Sequence, residues 1–371
     1  MSGLMEHLPK TALVAIGIGA TQRGYERYFS DLYELVRGDL DITLFGGVSG
    51  GRPGCRVPRG WSRYRRIARL LPLSLRAQAA EGRHYRQDCL AYAFALAGEL
   101  VRGRYEIVHV IDFFLARYLR PLLLRRLPAA RLIYTNGCCA PPQLCPRVDL
   151  IHHVAEPLYK VTAAQYGDSR TRLVPCGLDP RRFRSSLSRR ELRRKHRIDE
   201  TTRVILAVTA INRPHKRADH IIEEVARMRG DDVILWMDGR HEEPDLVDYA
   251  CRTLGPRFRA THVPSEQVGE LYHLADLFVH AALEESFGLA IVEAMSCGLP
   301  VLVHDSPHFQ WLTGGGEHLV DMSRAGALAG RLEQWLAEPA SIPSPDEARW
   351  QRFDWQVLKD EYLAMYRSLS A

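Results

Sequence analysis

Short apolar runs alternate with stretches of helical periodicity along nearly the whole chain, and this alternation restricts the fold more than any other feature. An apolar run of strand length bounded by turn residues reads as a strand buried on both faces. Strands of that kind separated by helices build parallel sheets covered by helices, so the expected class is α/β. TALVAIGIG (11–19) reads as a first strand entering a glycine-bearing loop, and YERYFSDLYELVRG (25–38) as a helix closed by Gly38. DITLFGG (41–47), YEIVHVID (105–112), RLIYTN (131–136) and RLVPCG (172–177) continue the series. A second series begins at RVILAVTA (203–210). It runs through DDVILWMDG (231–239), RFRATHV (257–263), DLFVHAA (276–282) and LPVLVHD (299–305). Between the two lies DPRRFRSSLSRRELRRKHRID (179–199), polar and arginine-rich, as a connection between domains should be. The pattern predicts two Rossmann-like domains, 1–178 and 179–351, with a helix over 352–371 joined to the first.

Length agrees, since 371 residues suit two domains of ordinary size. Hydrophobic residues at 46% and charged residues at 25% exclude disordered, collagen-like and disulfide-stapled classes. Only five of the 50 basic residues are lysines: Lys10, Lys160, Lys195, Lys216 and Lys359. A net charge of +6 diluted over this surface does not argue for nucleic acid. Eight cysteines form no CxxC pair, which fits reduced thiols in a cytoplasm and no metal site. The first twenty residues lack a basic n-region and a cleavage site, and no window is apolar enough to span a bilayer. The expectation is a cytoplasmic protein.

The richest chemistry lies in EESFGLAIVEAMSCGLPVLVHDSP (284–307). Phe287 to Cys297 reads as a buried helix closed by Gly298, with Ser286 where a cap would stand. The amides of Phe287, Gly288 and Leu289 would then point out of the helix mouth, which attracts anions. Gly288 would let a ligand approach the backbone. Glu285 and Glu293 are eight residues apart, about 12 Å along a helix. Carboxylates so placed can grip hydroxyls at two ends of a long ligand while the helix mouth holds a phosphate. The competing reading makes Glu293 a satisfied buried acid and Glu285 a surface residue, although an unpaired acid within LAIVEAM would be costly.

ESFGLAIVEAMSCGLP resembles the E-x7-E signature of retaining GT-B glycosyltransferases, in particular the large family four, also called group 1. RPHKRADHII (213–222) is similar to the basic donor segment of that family, and LVPCGLDPRRF (173–183) to its interdomain linker. SEQVGELYHLADLFVHAALEESFG (265–288), RGYERY (23–28) and YEIVHVID (105–112) extend the resemblance from about residue 14 to 365. It implies a GT-B fold, with two Rossmann-like domains facing across a cleft that holds the active site. It also implies sugar transfer from a nucleoside diphosphate sugar (UDP or GDP) to a small-molecule, glycan or lipid acceptor. The anomeric configuration would be retained, with the leaving phosphate taking the acceptor proton. The nucleotide sugar would be the co-substrate, and no cofactor or metal is implied.

Residue by residue, the resemblance gives Glu293 the ribose hydroxyls and Glu285 the donor sugar, with Ser286, Phe287, Gly288 and Leu289 beside it. Lys216 would neutralise the diphosphate, and a fixed cation is the largest electrostatic help such a site can supply. Gly19 and Gly24 would bring the first loop against the same diphosphate, and backbone near His262 and Val263 would meet the base. Asp112 would touch the sugar as the third catalytic candidate. The sequence departs from the family at Ile211, where an arginine is usual, leaving Arg213 or Arg217 to supply a second charge. It departs also at Ile111, Cys176 and Arg23, which points to a divergent branch with its own acceptor. His109 reads as a strand histidine satisfied in the core.

Other motifs are weaker. Gly17, Gly19 and Gly24 do not make the dinucleotide fingerprint, and no phosphate-binding G-x4-G-K-[ST] occurs. Asp39 and Asp41 form a D-x-D ahead of a strand, as turn acids do. The segment 51–86 holds ten arginines and one acid, Glu81, together with Trp61 and Tyr64. Residues 52–86 allow three readings: peripheral membrane contact, a wall for a charged acceptor, or a solvated helix face. A non-catalytic nucleotide- or glycan-binding module, and a nucleotide-sugar epimerase or phosphorylase of the same fold, are the alternatives in function.

Overall fold

A computed structural model describes residues 9–19, 24–48, 53–70, 80–228 and 232–369, without the side chains of 80–83. Arg23, Asp231, the first eight residues, and Arg52 and 71–79 of the arginine-rich segment lie outside the described residues. The chain divides into two compact units, Met1–Gly177 with Leu358–Ala371, and Leu178–Val357.

The first unit holds a seven-stranded sheet of order β3-β2-β1-β4-β5-β6-β7. Its strands are β1 (Thr11–Val14), β2 (Ile42–Phe45), β3 (Cys55–Arg56), β4 (Ile107–Val110), β5 (Arg131–Thr135), β6 (Leu150–His153) and β7 (Thr171–Leu173). All pairs are parallel. The connections carry α1 (Gly24–Val36), α2 (Trp61–Ala68), α3 (Ala80–Gly103), α4 (Phe113–Arg126) and α5 (Glu156–Tyr166). Every residue of β1, β4 and β6 is buried, as expected of strands covered on both faces. β6 had no counterpart in the apolar reading because His152 and His153 interrupt its run.

The second unit holds a six-stranded parallel sheet of order β10-β9-β8-β11-β12-β13. It comprises β8 (Arg203–Val208), β9 (Val233–Asp238), β10 (Phe258–Thr261), β11 (Leu277–His280), β12 (Val301–His304) and β13 (Leu319–Val320). Helices α6 (Arg189–Lys195), α7 (Ala218–Arg227), α8 (Pro244–Leu254), α9 (Val268–Leu274) and α10 (Leu289–Ser296) precede α11 (Pro307–Thr313), α12 (Ala327–Ala337) and α13 (Glu347–Gln351). The order 3-2-1-4-5-6 is the doubly wound arrangement, in which ligands sit beyond the carboxyl ends of the strands where the order reverses. That switch point falls between β8 and β11 here, and between β1 and β4 in the first unit.

The last helix, α14, spans Trp355–Arg367, and from Leu358 onward it belongs to the first unit. Tyr362 and Tyr366 are fully buried on it, with Leu358 1% exposed. Tyr362 Oη hydrogen-bonds the Pro175 carbonyl at 2.7 Å and meets Tyr28 Oη at 2.8 Å. Tyr366 Oη lies 2.8 Å from Nδ1 of His109, a core residue of β4.

Candidate functional site

The loops that follow β8 and β11 bring two sequence-predicted residues together. Leu277 and Phe278 pair with Ile205 and Leu206, so the two loops leave adjacent strands at the switch point. In the first loop the Asn212 side chain accepts from the amides of His215 and Lys216, at 3.3 and 2.9 Å, and donates to Glu242 at 2.8 Å. Arg217 then takes a left-handed conformation, φ 51°, at the start of α7, and its guanidinium donates to the Met322 and Ala281 carbonyls. A folded loop thus presents Lys216, and Arg217 serves the fold. The Lys216 ammonium is bonded to Oε1 of Glu285.

Glu285 is largely buried, and His280 at the end of β11 lies 3.1 Å from the same oxygen. Burial opposes ionisation of Glu285, but the hydrogen bond from His280 and the Lys216 charge outweigh it and hold the carboxyl well below its usual range. The anionic carboxylate and its ammonium partner therefore stand ready at neutral pH.

Helix α10 begins two residues later than the sequence pattern indicates. Gly288, at φ 96°, is its N-cap, and no side chain caps it, so Ser286 is not the capping residue. A Cβ at Gly288 would lie 2.9 Å from Ile291 Cδ1 and 3.3 Å from Leu312 Cδ2, so only glycine suits this turn. Leu289 and Ala290 open the helix, and first-turn amides have no carbonyl within the helix to bond. Phe287 is buried against Phe353, with ring centroids 5.2 Å apart, and its carbonyl lies 3.0 Å from His308 Nε2. Glu285 therefore sits in the loop and Glu293 alone on the helix, which replaces the picture of two carboxylates along one helix. Glu293 is buried and accepts from the Tyr272 hydroxyl at 2.9 Å.

Two other sequence-predicted residues, Arg213 and Val263, are placed with partners of their own. The Arg213 guanidinium is paired with Glu243 and Asp245, so two carboxylates already balance its charge. The amide of Val263 donates to Asp238 Oδ1 at 3.0 Å, and His262 is exposed beside it. Sequence reasoning missed Asn212, His280 and Tyr272. His280 carried a signal, a histidine at a strand end five residues before Glu285.

In the first unit Asp112 stands at the start of α4 beside the switch point. Its Oδ2 accepts from the Ile16 amide at 2.9 Å and its Oδ1 from the Tyr85 hydroxyl at 2.6 Å. Burial raises its carboxyl above the usual range against those two bonds. A Cβ at Gly17 would lie 2.0 Å from Glu26 Oε1, so that glycine admits the carboxylate of α1. Gly19 ends the turn after β1 with φ 85°, and Gly24 is the first residue of α1. Tyr85 comes from the end of the arginine-rich segment. Elsewhere in that segment Arg65 and Arg69 pair with Asp88, and Trp61 is buried on Tyr92 with its indole donating to the Gly47 carbonyl. Tyr64, Ile67 and Leu70 remain exposed on α2 and just beyond it. Among the described residues no helix is long and apolar enough to cross a membrane, and no group of three or more His, Cys, Asp or Glu could hold a metal ion.

Comparison with known proteins gives a consistent picture. Residues 188–352 match the model of the glycosyl transferases group 1. The D-inositol 3-phosphate glycosyltransferase of Mycolicibacterium smegmatis is 29% identical over 175 residues, 45% of this chain and 40% of that protein. Its counterpart in Rhodococcus erythropolis is 30% identical over 132 residues, 33% of this chain and 30% of that protein. The chain thus spans well under half the length of these curated relatives. Among solved structures, sucrose-phosphate synthase from Thermosynechococcus elongatus matches with a TM-score of 0.78 at 18% identity, over 98% of this chain and 99% of that one. Anabaena HepE in complex with UDP-glucose matches with a TM-score of 0.75 at 15% identity, over 96% and 98%. Both share the GT-B fold with this chain.

Proposed function

We propose that this chain is a divergent member of the group 1 glycosyl transferases and that it transfers a sugar from a nucleoside diphosphate sugar to an acceptor with retention of configuration. The observation that carries the reading is the bonded group of Lys216, Glu285 and His280 at the switch point of the six-stranded sheet. A diphosphate arriving there finds an ammonium and the opening amides of α10, and its charge competes with Glu285 for Lys216. Glu285, still held by His280, then accepts hydrogen bonds from donor-sugar hydroxyls. Glu293, oriented by Tyr272, takes the ribose hydroxyls four residues into the helix. Charge on the leaving phosphate grows in the transition state, so a fixed cation there contributes to rate and not merely to binding.

UDP-sugars are the first donors to try, because the neighbour with UDP-glucose bound shares the fold, and GDP-sugars the second. Asp112 and Tyr85 belong to the acceptor side in this reading. The relatives named for inositol 3-phosphate support a small phosphorylated acceptor. The test is turnover of the donor by Lys216→Ala and Glu293→Ala, each expected to fall at least about 10²-fold while the protein stays folded. Activity of the parent should survive EDTA. Full turnover in both variants would sink the reading.

A further inference from the structure

The end of the six-stranded sheet opposite Lys216 and Glu285 carries a feature that sugar transfer does not use. Arg203 opens β8, Asp276 immediately precedes β11 and Pro300 precedes β12. Together with Arg189, Tyr272 and Trp335 they line a cavity of about 300 Å³. Its charges do not balance. Asp276 is the one carboxylate of the lining, and three guanidinium groups converge on it. Arg193, 4% exposed, reaches Oδ2 at 2.5 Å and gives its other donors to the carbonyls of Asp199, Thr202 and Leu274. That pair alone accounts for the charge of Asp276. Arg189 and Arg203 also bond it, yet their side chains are 48% and 42% exposed. A guanidinium has five N–H donors in a fork that matches phosphate oxygens, so two more forks at the cavity wall suit a dianion. The volume is at the small end of ligand sites.

The cavity also touches the proposed donor machinery. Tyr272 lines it and donates to Glu293 at 2.9 Å. Cys297, another lining residue, donates its amide to the Glu293 carbonyl at 3.3 Å. An occupant that shifts Tyr272 is one side chain away from Glu293.

We propose that this cavity is a second ligand site, taking a small phosphate monoester on Arg189 and Arg203, and that Tyr272 transmits its occupancy to Glu293. The second clause rests on the assignment of Glu293 to the nucleotide, and the first does not. The test titrates the full chain with inorganic phosphate at constant ionic strength, with saturating UDP or GDP present to fill the donor site. The parent should bind phosphate with a millimolar or tighter Kd, and the Arg189→Gln/Arg203→Gln variant at least about tenfold more weakly. Nucleotide affinity measured without phosphate should be the same in both. Phosphate should change nucleotide affinity severalfold in the parent, by linkage, and not in Tyr272→Phe. Equal phosphate binding by parent and double variant, or none by the parent, overturns the proposal. Should neither nucleotide bind, the donor assignment fails, and the arginine-dependent phosphate titration without nucleotide still decides the cavity.

Discussion

Glu285 shows how much one residue's role depends on neighbours that are distant in the chain. It is a carboxylate in a site that burial would favour neutral, and Lys216, 69 positions away, together with His280 keeps it charged. Glu293 was legible in the sequence because an acid within an apolar run is costly unless it has a partner or a task, and Lys216 and Glu285 were legible through the resemblance of their segments to the group 1 family. Their partners were not, since Asn212, His280 and Tyr272 are ordinary residue types whose importance comes from convergence in space. Gly288 is a third kind of case, where the requirement is on the backbone. Its φ of 96° and the Ile291 contact mean that Gly288→Ala should destabilise the second unit by about 1–2 kcal/mol. A lower urea midpoint checks this, and an unchanged midpoint would show that the turn tolerates a side chain.

The elements of the first unit are tied to α14 by a chain of hydrogen bonds whose direction one backbone carbonyl decides. His152 Nε2 lies 2.8 Å from the Val174 carbonyl, which can only accept, so this nitrogen carries the proton. In a neutral ring Nδ1 then accepts from the Thr135 hydroxyl at 2.9 Å. Thr135 must accept from His109 Nε2 at 2.6 Å, and His109 Nδ1 accepts from Tyr366 at 2.8 Å. This arrangement, made with both rings neutral, joins β4, β5, β6 and α14. Burial lowers His152 from 6.5 to about 3 and His153 to about 4, and pushes His109 well below its ordinary value. The unfolded chain therefore binds protons that the folded chain does not, as pH falls below about 6.5. Stability should be complete above that pH and decline on the way down, by at most about 1.4 kcal/mol per pH unit for each such histidine. Urea midpoints at pH 7.5 and 5.5, a window that spares most carboxylates, should show the loss. Equal midpoints would mean the network tolerates charge. The helix predicted over 352–371 announced α14, but of the two histidines that meet it, His109 and His152, the second is one of the residues that hid β6.

At the scale of the whole molecule, apolar alternation was enough to indicate two doubly wound sheets, because parallel strands buried on both faces leave few other sequence patterns. It did not show β3 and β13, two residues each, which are edge strands too short to leave a pattern. Nor did it show the cavity behind the second sheet, where Arg189, Arg203 and Asp276 are scattered over nearly ninety positions. The arginines of 179–199 read as part of a polar connection between domains, and Asp276 gathers Arg189 and Arg193 of that stretch, with Arg203, into one place. The claim that joins these scales is that the switch point of the second sheet binds a nucleoside diphosphate sugar. The most direct measurement is a melting-temperature and hydrolysis screen of nucleotide sugars with the intact protein, without acceptor. At least one donor should stabilise the fold, by about 2.7 kcal/mol at a hundred times its Kd, and be slowly hydrolysed to the nucleoside diphosphate. A protein that no nucleotide sugar stabilises and that hydrolyses none would contradict the account.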